Sequence, residues 1–245
     1  MSATYERVSA EGRSGVPIHR RARVAGLLYV GMLVVGLPGL LFIPARLLVR
    51  GDAVATAEHI RAATTLFRLG IASELAYLVV FVFLGLALYR LFETVSRSLA
   101  MQMAALVLVS VPIVFVDVVN ELAALVLLGR PTFLSSFTPA QLDSLAYLFL
   151  RLHAEGIGIV QIFWGLWLVP FGILVIRSES LPRILGVLLL VGAVGELLRA
   201  ATSLFPSLGV IDPLANLLAL GELPIIFWLL VRGFMPVSEA THTSS

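Results

Sequence analysis

Two carboxylates interrupt a long apolar stretch: Asp117 and Glu121, with Asn120 between them, lie within the run Leu99–Leu128. Four residues apart on a helix, Asp117 and Glu121 project from nearly the same face. In a low-dielectric setting such a pair shares a proton, binds a cation or pairs with arginine. Other polar side chains break other apolar runs: Glu74, Arg151, His153, Glu155, Gln161, Glu196, Arg199, Asn216 and Glu222. Arg151 with Glu155, and Glu196 with Arg199, have the i,i+4 and i,i+3 spacings of same-helix ion pairs. If arginine answers the pair, Arg199 or Arg151 is the candidate partner of Asp117. His153 stands two residues from Glu155, so the two do not share a face. Asp117, Glu121 and Arg199 are the first choices for acid–base or headgroup chemistry.

The chain lacks cysteine, which excludes disulfides, thiolate metal sites and a Cys nucleophile. Neither HExxH nor another zinc spacing occurs, so a metal site would have to be assembled from separate helices. No motif for a nucleotide, haem or structural zinc is present, and the cofactor is left unassigned. Ser73 and Ser110 read as ordinary helix polarity rather than as nucleophiles.

The elements that position these residues are six apolar segments, near Val24–Pro44, Leu66–Tyr89, Leu99–Leu128, Leu145–Ile176, Ile184–Phe205 and Ile211–Val231. Each meets the roughly 20 residues a helical crossing needs. Of the 245 residues, 59% are hydrophobic and only 13% charged, against about 25% charged in soluble domains. The expected fold is all-α, a polytopic transmembrane bundle of six spans. Continuous apolar blocks disfavour a β-barrel, whose strands alternate in units of about ten residues. Pro112, Pro170 and Pro224 fall inside spans, where neighbouring helices absorb kinks. Residues 1–22 read as a flexible cytoplasmic segment, 23–233 as the membrane domain and 234–245 as a flexible cytoplasmic tail. The run Val24–Pro44 is too long for a signal-peptide core and is expected to stay as the first span.

All 17 basic residues are arginine. Arg20, Arg21, Arg23, Arg90, Arg97, Arg177, Arg183 and Arg232 fall on one side of a six-crossing chain, which makes that side cytoplasmic. Arg46, Arg50 and Arg61 in the first outer connection run against this bias. The expected location is therefore the bacterial inner membrane, with both termini cytoplasmic. Asp52 is placed to cap a short surface helix running through Ile60. Thr138-Pro139 reads as a cap followed by proline at the first helical position, opening a helix that runs unbroken into span four. No basic stripe or aromatic platform supports nucleic-acid binding. Membrane lipid is the expected surroundings, and oligomerisation is left open.

Several short signatures resemble one bacterial family of integral membrane proteins, domain of unknown function 4386. They are Arg23-Val-Ala-Gly-Leu-Leu-Tyr29, Gly51-Asp52-Ala53 with Ala57, Leu66-Phe-Arg-Leu-Gly70, Leu152-His153, Phe163-Trp-Gly-Leu166, and Arg177-Ser178 followed by Leu181-Pro-Arg-Ile-Leu-Gly186. The last is the most specific, and together they span Arg23 to about Gly233. The resemblance implies a multi-span bacterial membrane protein and carries no activity.

At 1.5 Å per residue, Glu74, Gln161, Arg199 and Asn216 fall about 22 Å from the cytoplasmic end of their spans. Asp117 falls at about 27 Å, Glu155 at about 31 Å and Glu121 at about 33 Å, with Glu196 and Glu222 deeper at about 18 and 14 Å. Most therefore belong to the outer half of a core about 30 Å thick. Burying them separately would cost several kcal/mol each, so a shared, outward-opening polar pocket for a small or lipidic molecule is expected. Spans two to six should line it, with span one as support. Asp117, Glu121, Glu196 and Arg199 are expected to converge on it. A proton-coupled transporter, a membrane-embedded enzyme using a carboxylate as acid or base, and a structural protein with an inert ion network are the alternative readings.

Overall fold

The computed structural model describes residues 18–178 and 180–234. Of the terminal segments expected at 1–22 and 234–245, residues 1–17 and 235–245 lie outside the described residues, while residues 18–22 belong to the first helix and residue 234 to the last. Among the described residues, all regular structure is helical. The helices are α1 (Ile18–Leu37), α2 (Ile43–Leu47), α3 (Ala53–Ala62), α4 (Thr64–Phe92), α5 (Arg97–Asp117), α6 (Val119–Leu128), α7 (Pro139–Arg177), α8 (Arg183–Leu204), α9 (Asp212–Ala219) and α10 (Leu223–Phe234). They compose six apolar helical segments long enough to cross a membrane, as expected for a polytopic bundle.

Helix α7 is the centre of the bundle. Its cap is a reciprocal one: Gln141 N–H donates to the Thr138 hydroxyl at 3.3 Å, and Thr138 N–H donates to Gln141 Oε1 at 2.8 Å. Proline at the first position wastes no donor, because the first N–H groups of a helix have no partner inside it. From there α7 runs 39 residues without interruption, through Pro170. Its most apolar window is 56% buried, against 22–39% for the other five spans. Helices α5, α6 and α8 pack on it, while α1 sits between α4 and α10. Gly172 and Gly186 let α7 and α8 approach to backbone contact, since a Cβ on Gly172 would lie 2.8 Å from the Gly186 carbonyl oxygen. The outer faces are apolar, with Val34, Phe83, Val116 and Phe227 more than half exposed; such faces suit hydrocarbon rather than water.

Three spans depart from single straight helices. The first carries a π-helical turn at Pro38–Phe42. There the bond from Gly39 N–H to the Val35 carbonyl is replaced by a relay: Gly39 N–H donates to Ser73 Oγ at 3.1 Å, and the Ser73 hydroxyl donates to the Val35 carbonyl. Both freed backbone groups are thereby satisfied by α4. The third span, expected as one helix, divides at Val118 into α5 and α6. The Asn120 amide donates to both the Asp117 carbonyl and its Oδ1 at 3.0 Å, satisfying that irregular turn. The sixth span breaks into α9 and α10 across a 3-10 turn at Leu220–Glu222. Pro224 thus falls in the first turn of α10, not in a span interior, where its missing N–H costs least.

The connections are tied to the helices at both ends of the bundle. At the end where α1 begins, Arg21 Nη1 donates to the Arg90 carbonyl at 2.8 Å and lies 3.6 Å from Glu93. At the far end, Asp52 caps α3 by accepting from Ala55 N–H at 2.9 Å. Helix α3 is fastened to α7 by Arg61, whose guanidinium grips Asp143 at 2.7 and 3.2 Å. Arg130, held at φ 47° in the left-handed region, also approaches Asp143, at 3.5 Å.

Candidate functional site

Glu74, Asp117, Glu121 and His153 lie in the half of the bundle at the far end, whereas Glu222 reaches Tyr29 nearer the end where α1 begins. Glu74 is the eleventh residue of α4, Glu121 the third of α6, and Arg199 lies five residues before the end of α8. The unbroken course of α7 brings His153 to the same level. Helices α4, α5, α6 and α7 thereby bring Glu74, Asp117, Glu121 and His153 together, with Arg199 of α8 on the wall of the cavity beside them. His153 Nδ1 lies 2.8 Å from Asp117 Oδ2, and His153 Nε2 lies 3.7 Å from Glu74 Oε2. One ligating atom each from Glu74, Glu121 and His153 fall within 4.8 Å of one another. These three could hold a metal ion.

Burial makes this cluster unusual. Glu74 is 3% exposed and Glu121 8% exposed. Glu74 Oε1, Glu121 Oε2, Asp117 Oδ2 and His153 Nδ1 all lack an aligned hydrogen-bond partner. The close approach of His153 to Asp117 is thus an ion-pair contact without hydrogen-bond alignment. Polar atoms buried in that state are costly. Gly156 opens the space for Asp117, because a methyl group there would overlap the carboxylate.

A cavity of about 560 Å³ runs beside the cluster, lined by Glu74, Glu121, His153, Gln161, Arg199 and Asn216 among others. Arg50, in a far-end connection, and Asp212, the first residue of α9, are exposed, line it and mark its mouth. A second cavity of about 520 Å³ adjoins it, walled by Tyr29, Tyr77, Phe81, Trp164 and Trp167. Leu40, Ile157, Gln161, Arg199 and Asn216 line both. In the second, the Tyr29 hydroxyl donates to Glu222, and Arg199 Nη1 donates to Glu196 at 3.1 and 3.3 Å.

The geometry differs from the expected pairings in three ways. Asp117 faces His153, whereas Arg199 is engaged by its helix neighbour Glu196. Asp117 stands behind His153 instead of on the cavity wall, and Glu121 and Glu196 line different cavities that meet at Arg199. Span one is more than support, since Gly39, Leu40 and Pro44 line the first cavity and Tyr29, Met32 and Leu33 the second. The same-helix spacing of Arg151 and Glu155 does give an ion pair, at 2.6 Å, and Ser203 adds a hydroxyl to Glu155 at 3.2 Å. Asn120 reaches Asp117 and not the cavity.

Spacing put His153 among the candidates but did not reveal its partners: it is the residue through which Asp117, Glu121 and Glu74 meet. Gly156 and Gly158 carry the only local signal: each clears room for a polar side chain from another helix, Asp117 and Ser203 respectively.

Six apolar helical spans around a half-bundle polar cluster define a multi-pass membrane protein. The chain belongs to the bacterial family described as domain of unknown function (DUF4386), whose family model matches residues 24–233. No curated protein and no solved structure matches it.

Proposed function

We propose that this protein lies in the bacterial inner membrane with both termini cytoplasmic, and that its two adjoining cavities bind an amphiphile with an anionic headgroup. The observation that carries this reading is the change of lining across a shared wall. One cavity presents Glu74, Glu121 and His153; the other presents Tyr77, Phe81, Trp164 and Trp167 together with Glu196 and Glu222, and Arg199, Gln161 and Asn216 stand where they meet. An apolar body in the aromatic cavity would place a headgroup beside Arg199. Both contacts from Arg199 to Glu196 use Nη1, which leaves further N–H donors of the fork for an anion. The orientation is supported by Arg20, Arg21, Arg90, Arg97, Arg177 and Arg183 at the end where α1 begins. At the far end Arg46, Arg50 and Arg61 run against this bias, Arg61 being held by Asp143. In that orientation the cavity mouth opens outward.

Trp164 and Trp167 report on occupancy. Titration of the detergent-purified protein with a bromine-labelled fatty acid should quench tryptophan fluorescence saturably. Arg199→Gln should raise the half-saturation concentration about tenfold, the loss of about 1.4 kcal/mol expected for one charge-assisted contact. Quenching that rises linearly without saturation, and equally in Arg199→Gln, would overturn the reading.

A further inference from the structure

We propose that Glu74, Glu121 and His153 bind a divalent first-row transition-metal ion, with Asp117 positioning the His153 ring and the remaining coordination position facing the cavity. The site is new with respect to the amphiphile reading and stands without it.

Four observations converge. The first is the donor set. One imidazole and two carboxylates from three different helices supply three protein ligands, the number a reactive metal centre keeps when it leaves a position open. Imidazole with carboxylate suits zinc, manganese or iron, and disfavours the softer ions that seek thiolate.

The second is distance. Ligand bonds of about 2.1 Å in tetrahedral array separate the ligating atoms by about 3.4 Å. His153 Nε2 and Glu74 Oε2 are already 3.7 Å apart, and the three ligating atoms lie within 4.8 Å of one another. Small rotations of glutamate side chains close the remaining gap.

The third is the set of unpartnered atoms. Glu74 and Glu121 are each more than nine-tenths buried, and each keeps an oxygen with no hydrogen-bond partner while lining the cavity. A metal ion bound by both oxygens of Glu74 and by Glu121 Oε2 satisfies them. It also reduces the formal charge of Glu74, Glu121 and Asp117 from −3 to −1. Arg199, which also lines this cavity, forms its ion pair with Glu196 and none with Glu74 or Glu121.

The fourth is the shell behind the ligands. Metal-bound histidines almost always present their second ring nitrogen to a carboxylate or carbonyl, which fixes the tautomer and the ring orientation. Here Nδ1 lies 2.8 Å from Asp117, leaving Nε2 directed at Glu74. Asp117 is itself held by the Asn120 amide at 3.0 Å, and Gly156 leaves room for it. An inert ion network accounts for the contact between His153 and Asp117 but leaves Glu121 Oε2 unexplained.

The test uses full-length protein in detergent, stripped with chelator, desalted and titrated with Co²⁺. The expected result is one Co²⁺ per chain at low-micromolar affinity or tighter, with a visible d–d band, and displacement by Zn²⁺. Glu121→Gln and His153→Gln should each weaken binding a hundredfold or more, and Asp117→Asn ten- to a hundredfold. Glu155→Gln, outside the cluster, should leave it unchanged. Thermal unfolding of each metal-free variant checks folding. If His153→Gln does not fold, Cu²⁺ loading of the wild type decides, because one bound imidazole gives nitrogen superhyperfine splitting in the EPR spectrum. Failure of the wild type to bind Co²⁺ at millimolar concentration overturns the proposal. So does stoichiometric binding that survives both Glu74→Gln and Glu121→Gln. A purely structural cluster predicts that Glu121→Gln alters stability equally with and without Co²⁺; metal binding predicts that Co²⁺ stabilises the wild type alone.

Discussion

The contact between His153 and Asp117 can be isolated by a double-mutant cycle. The two side chains are 17% and 10% exposed and approach to 2.8 Å. A hydrogen-bonded contact to a charged group contributes about 1.5–3 kcal/mol, and the poor alignment of this one favours the low end. Asp117→Ala, His153→Ala and the double variant should therefore show a coupling of about 1.5 kcal/mol. The parallel cycle of Asp117→Leu with Arg199→Leu should be additive within about 0.5 kcal/mol, because the two residues share no contact. Reversible unfolding in mixed micelles, with chelator present throughout, measures both cycles. Additivity for Asp117 with His153, or a coupling for Asp117 with Arg199 above about 1 kcal/mol, would refute the pairing. In the second case the buried acid would be answered by α8 rather than by α7.

Glycine substitutions should have opposite signs. Gly156→Ala, whose methyl group overlaps Asp117, should destabilise by about 1–3 kcal/mol and shrink the coupling just described. Gly31→Ala, with open space around it, should stabilise by up to about 1 kcal/mol. Ser73→Ala strands Gly39 N–H and the Val35 carbonyl; a loss of about 2 kcal/mol is expected, with faster amide exchange at Gly39 than in the rest of α1. Reporter fusions should place both termini in the cytoplasm, and a single cysteine introduced at Ser136 should be labelled by an impermeant reagent from outside. Either terminus outside would reverse the proposed orientation.

The number of spans and the all-helical fold were readable from the sequence, because hydrocarbon leaves a chain no other way to satisfy its backbone locally. Local capping was readable for the same reason of short range: Asp52 before α3 and Thr138-Pro139 before α7 act within a single turn. Spacing also found the pairs that lie on one helix, Arg151 with Glu155 and Glu196 with Arg199. Depth counting placed the polar layer in one half of the bundle, but depth is one coordinate of three. Which helix turns which face toward α7 depends on packing across the whole bundle, and no local pattern records it. Only the tertiary structure therefore decided that His153, not Arg199, meets Asp117. The interruptions at Pro38–Phe42, Val118 and Leu220–Glu222 were hidden for a related reason. Each is stabilised or tolerated by its surroundings, as Ser73 on α4 does for the first span. Apolar sequence fixes that a segment crosses; the neighbours it meets there fix where it bends and which buried charges face one another.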